Sequence, residues 1–196
     1  MLANIAKTFG LSKLLPTSDS SNAVVCDATS GLSFDFEADR YMGTWYEIYH
    51  SKGEPFQPDS WTCNTATYSD LDAAKGTFKV YNSGQGRFFG PRFGVHLSAQ
   101  CPAEFGQGQC QVKMWYQKWD KEPNYRIIDT DYDNYSIIYS CHEDDMQYLW
   151  FMSRQPTLSD ELYEQMMATA KAALPNYDFG QFIKDTQDAS KCKYPK

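Results

Sequence analysis

The residues of this sequence that could carry out thiol or metal chemistry are its cysteines and histidines. None of the six cysteines stands in a Cys-x-x-Cys pair or at zinc-ligand spacing from a histidine, so zinc binding and thiol redox catalysis are disfavoured. An even number of cysteines is more typical of a disulfide framework in an oxidising compartment, and the pairing itself stays open at this point. The cysteines are Cys26, Cys63, Cys101, Cys110, Cys141 and Cys192.

The three histidines give no sign of a catalytic site either. His50, His96 and His142 lie far apart in the sequence, and none belongs to a motif with a serine, a cysteine or a carboxylate. Nucleophilic catalysis needs such a base beside its nucleophile, whereas a histidine within a strand pattern is more often a core or surface group. We therefore predict no catalytic residue, no metal ligand and no enzymatic activity.

Charge and hydropathy narrow the classes of partner. The net charge is −7 and the lysines and arginines form no cluster, which argues against nucleic acid because phosphate contacts need clustered positive charge. No apolar run reaches the roughly 18 residues of a membrane span, and none near the start has the continuous apolar region of a secretory signal. We expect residues 1–25 to form an extension, which is either a weakly ordered tail or an amphipathic docking helix. Residues 26–196 predict one domain.

Most of this domain alternates apolar and polar side chains with a period of two, which predicts half-buried antiparallel strands. In the segment 110–119, for example, Val112, Met114 and Tyr116 share one face. Eight such segments, separated by short turns, favour a closed up-and-down barrel because closure leaves no exposed edge. The predicted strands are 44–50, 63–69, 76–82, 92–100, 110–119, 124–129, 135–141 and 147–153. The predicted fold is all-β, an eight-stranded antiparallel up-and-down β-barrel.

One helix is predicted after the last strand. Residues 157–160 have the form of a capping box, and apolar side chains follow on one helical face at Leu162, Met166, Ala170 and Leu174. The strand 147–153 is apolar on both faces, and such a strand is covered on both sides. We therefore expect the helix to pack outside the barrel against Leu149 and Phe151, with Trp150 facing inward.

Three motifs, in order along the chain, resemble those of the lipocalin family. The first, Gly43-Thr44-Trp45-Tyr46-Glu47-Ile48, is similar to the Gly-x-Trp motif in the form shared by apolipoprotein D and bacterial members. The second is Thr130-Asp131-Tyr132, which resembles the retinol-binding-protein form, and the third is Arg154, just ahead of the predicted helix. The resemblance covers roughly residues 26–194. It implies that Trp45 closes the narrow end of the barrel under the Arg154 guanidinium, with Asp131 and Tyr132 at the same end, in structural roles.

The resemblance also implies a disulfide pairing. Two pairs follow from it, one that ties the N-terminal segment to the barrel and one that fastens the C-terminal tail: Cys26–Cys141 and Cys63–Cys192. Cys101 and Cys110 have no counterpart in the apolipoprotein D pattern that implies these pairs, and they flank a turn between two predicted strands. For this last pair a hairpin disulfide and two free thiols both remain open.

An eight-stranded barrel is just wide enough to hold one small ligand or to be filled by side chains. By resemblance, the residues that line the pocket are Tyr68, Val80, Asn82, Met114, Tyr125 and Trp150. The alternation independently places Met114, Tyr125 and Trp150 on inward faces, and adds Tyr116 and Ile127. Such a wall suits a hydrophobic molecule with one polar end: a fatty acid, lysolipid, sterol, retinoid or carotenoid. No cofactor is predicted beyond such a bound lipid or pigment.

The last expectations concern partners and location. Phe88, Phe89 and Phe93 could form an apolar lip at the rim, which together with residues 1–25 could contact a membrane surface or a membrane complex. The leading hypothesis is a carrier that is secreted or lies in an oxidising organelle lumen. A structural subunit that docks on a membrane assembly is the first alternative. An enzyme acting on a lipid or carotenoid is the second alternative. It is less favoured because a thiol-dependent mechanism would need an unpaired thiolate inside the barrel.

Overall fold

The computed structural model describes residues 32, 34–54, 57–86, 90–142 and 146–194. Eight strands follow one another along this described part: β1 Gly43–Ser51, β2 Trp61–Asp72, β3 Thr77–Gly86, β4 Arg92–Gln100, β5 Gln109–Met114, β6 Tyr125–Thr130, β7 Tyr135–His142 and β8 Met146–Ser153. A short strand β9 spans Phe182–Lys184, and the α-helices are α1 Ala38–Tyr41 and α2 Asp160–Ala173. The predicted extension, residues 1–25, lies outside the described residues.

The eight strands close into a barrel. Each strand pairs antiparallel with the next, and β1 pairs with both β8 and β2. Strand β9 lies outside this cylinder and adds to the end of β1 through Tyr49, His50 and Ser51. The predicted eight-stranded antiparallel barrel is therefore confirmed. Because the strands alternate in direction, the connections that follow β1, β3, β5 and β7 meet at one end, and α1 covers the other.

The apolar side chains form two cores, one on each face of the sheet. The first fills the barrel near its covered end and includes Trp45, Tyr68, Val80, Leu97 and Met152. The second lies between the outside of the sheet and α2, and includes Leu149, Phe151, Met166, Ala170 and Leu174. Strand β8 contributes to both cores, which explains why its sequence is apolar on both faces. The predicted position of the helix is confirmed.

The start of α2 differs in detail from the prediction. The N-cap is Ser159, whose side-chain oxygen accepts a hydrogen bond from the Leu162 N–H at 3.2 Å. The helix therefore begins at Asp160, two residues later than a capping box starting at Thr157 would place it. Ser153 donates a hydrogen bond to the Thr157 carbonyl at 3.2 Å, so that Thr157 is still part of the turn that leaves β8.

Strand β5 is shorter than predicted, and Tyr116 does not face the barrel interior. The strand ends at Met114, and Tyr116 is 62% exposed. Asn124 pairs with both backbone groups of Val112 through its side-chain amide, at 2.8 and 2.9 Å. Gln117 accepts a hydrogen bond from the Met114 N–H at 2.7 Å. These side chains take up the backbone hydrogen bonds that a longer strand would make, and the prediction of Tyr116 as a pocket residue is wrong.

Disulfides secure both the C-terminal tail and one hairpin. Cys63 is bonded to Cys192, as the resemblance implied, and Cys101 is bonded to Cys110 across the β4–β5 connection. Of the two alternatives for this pair, the structure therefore has the hairpin disulfide and not the two free thiols. Cys141 is also disulfide-bonded, and its predicted partner, Cys26, lies outside the described residues.

Candidate functional site

The closed end of the barrel is built around a stacked pair of side chains. Trp45 is fully buried, and the Arg154 guanidinium carbon lies 3.7 Å from the centre of its ring system. Arg154 also donates hydrogen bonds to the carbonyls of Tyr132, Thr44 and Arg40 at 2.9, 3.1 and 2.8 Å. A planar cation over an indole stabilises by about 0.5–2 kcal/mol. The guanidinium therefore connects three separate segments at this end.

The turn between β6 and β7 completes the closed end. Asp131 accepts hydrogen bonds from the backbone N–H groups of residues 133, 134 and 135 through one carboxylate oxygen. Tyr132 has a φ of 68°, in the left-handed region, and its hydroxyl accepts a hydrogen bond from the Glu37 N–H at 3.0 Å. Thr130 donates to the Tyr135 carbonyl at 2.7 Å. The Asp131 and Thr130 contacts stabilise the turn itself, and the Tyr132 contact holds the segment before α1 against the barrel.

A chain of hydroxyl groups forms the floor above Trp45. The Tyr68 and Tyr125 hydroxyls lie 2.7 Å apart, and Tyr41 lies 3.3 Å from Tyr125 and 2.9 Å from the Ser136 hydroxyl. Burial raises the pKa of Tyr41 to about 12 and raises the pKa values of Tyr68 and Tyr125 well above the ordinary value. The floor is therefore polar but uncharged.

Above this floor lies a cavity of about 130 Å³. One water molecule needs roughly 10–15 Å³ on the same scale, so the barrel is hollow in its open half. Six of the predicted pocket residues line the cavity: Tyr68, Val80, Asn82, Met114, Tyr125 and Trp150. Ile127 is buried lower down, where it packs with Leu32 beside Gly108. Tyr116 lies outside, so the structure brings together all the predicted lining residues except these two.

The cavity also has a polar side that was absent from the sequence prediction. Glu47, Glu54 and Gln57 line the cavity and are each less than a tenth exposed. The Gln57 side-chain amide donates a hydrogen bond to the Glu47 carboxyl, and the Nδ1 atom of buried His50 lies 3.5 Å from that carboxyl. Two acidic groups therefore face a space that is lined mainly by apolar and aromatic side chains, with neutral polar ones such as Thr65, Asn82 and Ser140 among them.

Burial shifts the titration of these acids. It raises the pKa of Glu47 well above its usual range, and the nearby carboxyls of Asp185 and Glu54 add to the effect. Burial raises the pKa of Glu54 to about 8, with Asp59 as the second cause. Burial also lowers the pKa of His50, so the imidazole stays neutral and supplies no positive charge to Glu47.

The C-terminal segment closes a seam beside these acids. Strands β1 and β2 pair only as far as Tyr46 and Thr65. Beyond that point the Gln187 side-chain amide donates to the carbonyls of Glu47 and Asn64 at 2.7 and 2.8 Å. The Asp185 carboxylate accepts the Asn64 N–H at 3.0 Å, and burial raises its pKa to about 7. The tail held by the Cys63–Cys192 bond thus replaces the missing strand pairing.

Part of this polar side could have been found from the sequence. Glu47 stands two residues after Trp45, so a period of two places it on the same inward face, where an acid is unusual. Glu54 and Gln57 follow β1 in a connection, and alternation says nothing about where such side chains point. The contribution of Asp185 depends on the tail crossing the seam, which has no local sequence signal.

The structure and its cavity define the class of the protein: a β-barrel closed at one end, with a binding space at the other. A family model described as a lipocalin-like domain matches residues 36–187. The chain belongs to the lipocalin family, as the three motifs predicted.

Named relatives support the same assignment. The chain is 31% identical over 159 residues to the outer membrane lipoprotein Blc of Escherichia coli K12, covering 80% of this chain and 82% of Blc. It is 31% identical over 140 residues to retinol-binding protein 4-B of Oncorhynchus mykiss, covering 63% of this chain and 73% of that protein. The structure of insecticyanin from the tobacco hornworm Manduca sexta superimposes with a TM-score of 0.66 at 22% identity, covering 82% of this chain and 85% of insecticyanin.

Proposed function

We propose that this protein binds a small hydrophobic molecule in the open half of the barrel and acts as its carrier. The observation that carries this proposal is the cavity itself, whose wall of Tyr68, Val80, Met114, Tyr125 and Trp150 is aromatic and apolar. Ligand sites have this character, with a few polar groups that orient the bound molecule. The name of one relative, a retinol-binding protein, states a ligand of the same chemical kind.

Binding rather than catalysis is the function that these residues support. A thiol-dependent reaction would need a free thiolate in the cavity, and the cysteines at 63, 101, 110, 141 and 192 are all disulfide-bonded. Within the described residues, no group of three or more His, Cys, Asp or Glu side chains is arranged to hold a metal ion. The disulfides also support a secreted protein or one in an oxidising lumen, because such bonds are kept in those compartments.

The proposal is tested by isolating the protein natively and identifying by mass spectrometry any apolar molecule extracted from it. The cavity-filling variant Val80→Phe should retain at most about a tenth of that molecule, because the added ring occupies the lining of the cavity. The matched control is Lys79→Phe, since Lys79 is the next residue on β3 and is exposed. Absence of a bound molecule, together with unchanged Trp150 fluorescence when fatty acids, sterols and retinoids are added, would refute a carrier function.

A docking function is the second candidate, and exposed aromatic side chains at the cavity mouth favour it. Phe93 is 51% exposed, Trp115 86% and Tyr116 62%. Phe93 was part of the predicted lip, whereas Phe88 and Phe89 lie outside the described residues. Aromatic side chains with a polar edge suit a membrane interface. No helix in the described part of the chain is long and apolar enough to cross a membrane.

This candidate is tested by sedimentation of the protein with lipid vesicles. Replacing both Trp115 and Tyr116 by serine should release a docked protein into the supernatant while leaving its content of apolar ligand unchanged. Equal sedimentation of the variant and the parent would refute docking through this rim.

A further inference from the structure

The two acids that face the cavity are not neutralised by any cation in the described structure. Glu47 is 5% exposed and accepts a hydrogen bond from the neutral Gln57 amide. Glu54 is 8% exposed, and among the described residues no hydrogen bond or ion pair to its carboxyl is found. Buried acids are usually paired with a base or a metal ion, because an isolated charge is costly to remove from water. Two unpaired acids in one cavity therefore need an explanation.

The one described cation that borders the cavity is committed elsewhere. Lys113 lies on β5, across the barrel from β1, and its ammonium group donates to the Gln117 carbonyl at 2.9 Å. The same group lies 4.8 Å from the centre of the Trp119 ring. Lysine held in this way at the mouth leaves Glu47 and Glu54 without a positive partner.

Other buried polar atoms near the same acids have no hydrogen-bond partner. His50 is 2% exposed, and its Nδ1 atom has no hydrogen-bond partner. The Oδ1 atom of Asn82, a lining residue, is also buried without a partner. Buried polar atoms are nearly always paired in native proteins, and the exceptions tend to lie at functional sites. The polar side of the cavity thus has polar atoms without a partner beside two acids without a cation.

We infer that the bound molecule is an amphiphilic amine, with its apolar part on the aromatic wall and its ammonium group between Glu47 and Glu54. This inference rests on the proposed function and names its ligand class. An ammonium group supplies the positive charge that this side of the cavity lacks, together with N–H donors for the two carboxyls and for the Asn82 Oδ1 atom. A carboxylate would instead add a third acid to the site, and a hydroxyl would supply one donor and no charge.

Other groups near the acids set the electrostatic background of this site. They are His50 on β1, Asp59 in the connection that follows, Lys113 at the mouth, Tyr148 on β8 and Asp185 after β9. Apart from Lys113, none of these carries a positive charge at pH 7, because burial lowers the pKa of His50. The background is therefore neutral or acidic and favours a cation.

The test is a titration with three C12 molecules that differ in the charge of their polar end: dodecylamine, dodecanol and lauric acid. Binding is followed at pH 7 through Trp150 fluorescence. We expect the amine to bind at least about tenfold more tightly than the alcohol, as a charge-assisted hydrogen bond is about twice as strong as a neutral one. The acid should bind most weakly of the three.

Two variants test whether the preference for the amine depends on Glu47 and Glu54. Glu54→Gln and Glu47→Gln should each weaken amine binding about tenfold and change alcohol binding less than about twofold. Retained alcohol binding shows that each variant is folded. The matched control is Glu104→Gln, which removes an exposed carboxyl at the closed end of the barrel and should change neither affinity.

Calorimetry in two buffers of different ionisation enthalpy gives an independent measure. The Glu54 carboxyl is mostly protonated at pH 7, since burial raises its pKa to about 8. Pairing with an ammonium group should drive out that proton, and the release should be smaller in Glu54→Gln. Because burial also raises the pKa of Glu47, release from that acid should remain in Glu54→Gln and should fall in Glu47→Gln. Release that is undiminished in both variants would mean that the amine binds uncharged, which overturns the inference.

The outcomes distinguish an error in the ligand class from an error in the carrier function. If the alcohol or the acid binds as tightly as the amine, the inferred ligand class is wrong while the carrier function stands. If none of the three binds and the isolated protein holds no apolar molecule, the carrier function itself is wrong. An amine preference that survives both glutamine substitutions would also overturn the inference, because it would place the cation elsewhere.

Discussion

The buried Glu54 carboxyl should make the stability of the empty barrel depend on pH. Burial raises its pKa from 4.5 to about 8, and Asp59 adds to the shift. In the unfolded chain the carboxyl ionises near its ordinary value, so the unfolded state loses its proton first as the pH rises. The stability that depends on protonated Glu54 is therefore fully present below about pH 4.5. It falls between about pH 4.5 and pH 8 and is absent above that interval.

The expected size follows from the shift. One pKa unit corresponds to about 1.36 kcal/mol, so Glu54 alone lowers the free energy of unfolding by about 3–4 kcal/mol between pH 5 and pH 8. The variant Glu54→Gln keeps the shape of the side chain and does not titrate. Urea unfolding at pH 5, 6, 7 and 8 should therefore give the variant a shallower decline than the parent, by about 2–4 kcal/mol across the range.

Other buried titratable groups change the stability of the parent and of Glu54→Gln alike. Their contributions therefore largely cancel when the two proteins are compared. Asp185 and Glu47 also have raised pKa values and add to the decline, whereas the lowered pKa of His50 acts in the opposite direction. The control Glu104→Gln should follow the parent within about 0.5 kcal/mol at each pH, as exposed substitutions usually do. Parallel stability curves for the parent and Glu54→Gln would refute the reasoning, since Glu54 could not then be a buried, unpaired acid.

Three further predictions test the elements around the site. Arg154→Met should lower the free energy of unfolding in urea by about 3–5 kcal/mol because it leaves three carbonyls without their donor; a loss below about 1 kcal/mol would contradict the structural role of the stacked pair. The double variant Cys63→Ser with Cys192→Ser opens a loop of sequence separation 129 and should cost about 4–5 kcal/mol in thermal unfolding, and an unchanged midpoint would show that the tail is held without it. Gln187→Ala should cost about 1–3 kcal/mol and speed amide exchange at Asn64, whereas unchanged exchange would mean that the seam does not depend on this side chain.

Periodicity predicted the number and order of the barrel strands well. A strand with one face in the core and one outside shows a period of two whatever its neighbours are, so β1 to β8 were each visible locally. The helix was visible for the same kind of reason, since its apolar face repeats with the helical period. Strand ends were less well predicted, because an end depends on which groups complete the hydrogen bonds of the last residue.

Tyr116 shows how this limit affects a site. Alternation continues through Trp115 and Tyr116, so the sequence pattern alone extends β5 and turns Tyr116 inward. Strand β5 ends at Met114 because side chains take up its last backbone hydrogen bonds. Gln117 bonds to the Met114 N–H, and Asn124 bonds to both backbone groups of Val112. Asn often competes with regular structure in this way, and Gln117 does the same here, but which backbone group such a side chain reaches depends on the folded loop.

The polar side of the cavity was hidden for a different reason. Its acids come from three places in the chain that meet only after folding: β1, the connection after β1, and the tail that follows β9. Burial is what makes Glu54 notable, and neither its residue type nor its position in a connection reveals that it is buried. The aromatic wall, by contrast, was implied by the family resemblance, and alternation of side chains that favour the interior supported Met114, Tyr125 and Trp150 independently.

The position of these acids links ligand binding to the closure of the barrel. Glu47 faces the cavity, while its own backbone carbonyl accepts the Gln187 amide at the seam. Asp185 accepts the Asn64 N–H on the other side of that seam and lies close enough to Glu47 to raise its pKa. A cation in the cavity would favour ionised Glu47 and reduce the repulsion that the acids exert on one another, so it would stabilise the seam as well as fill the barrel. Stabilisation by dodecylamine at a fixed excess should therefore be larger at pH 8 than at pH 6, whereas dodecanol, which carries no charge, should stabilise the barrel equally at both values.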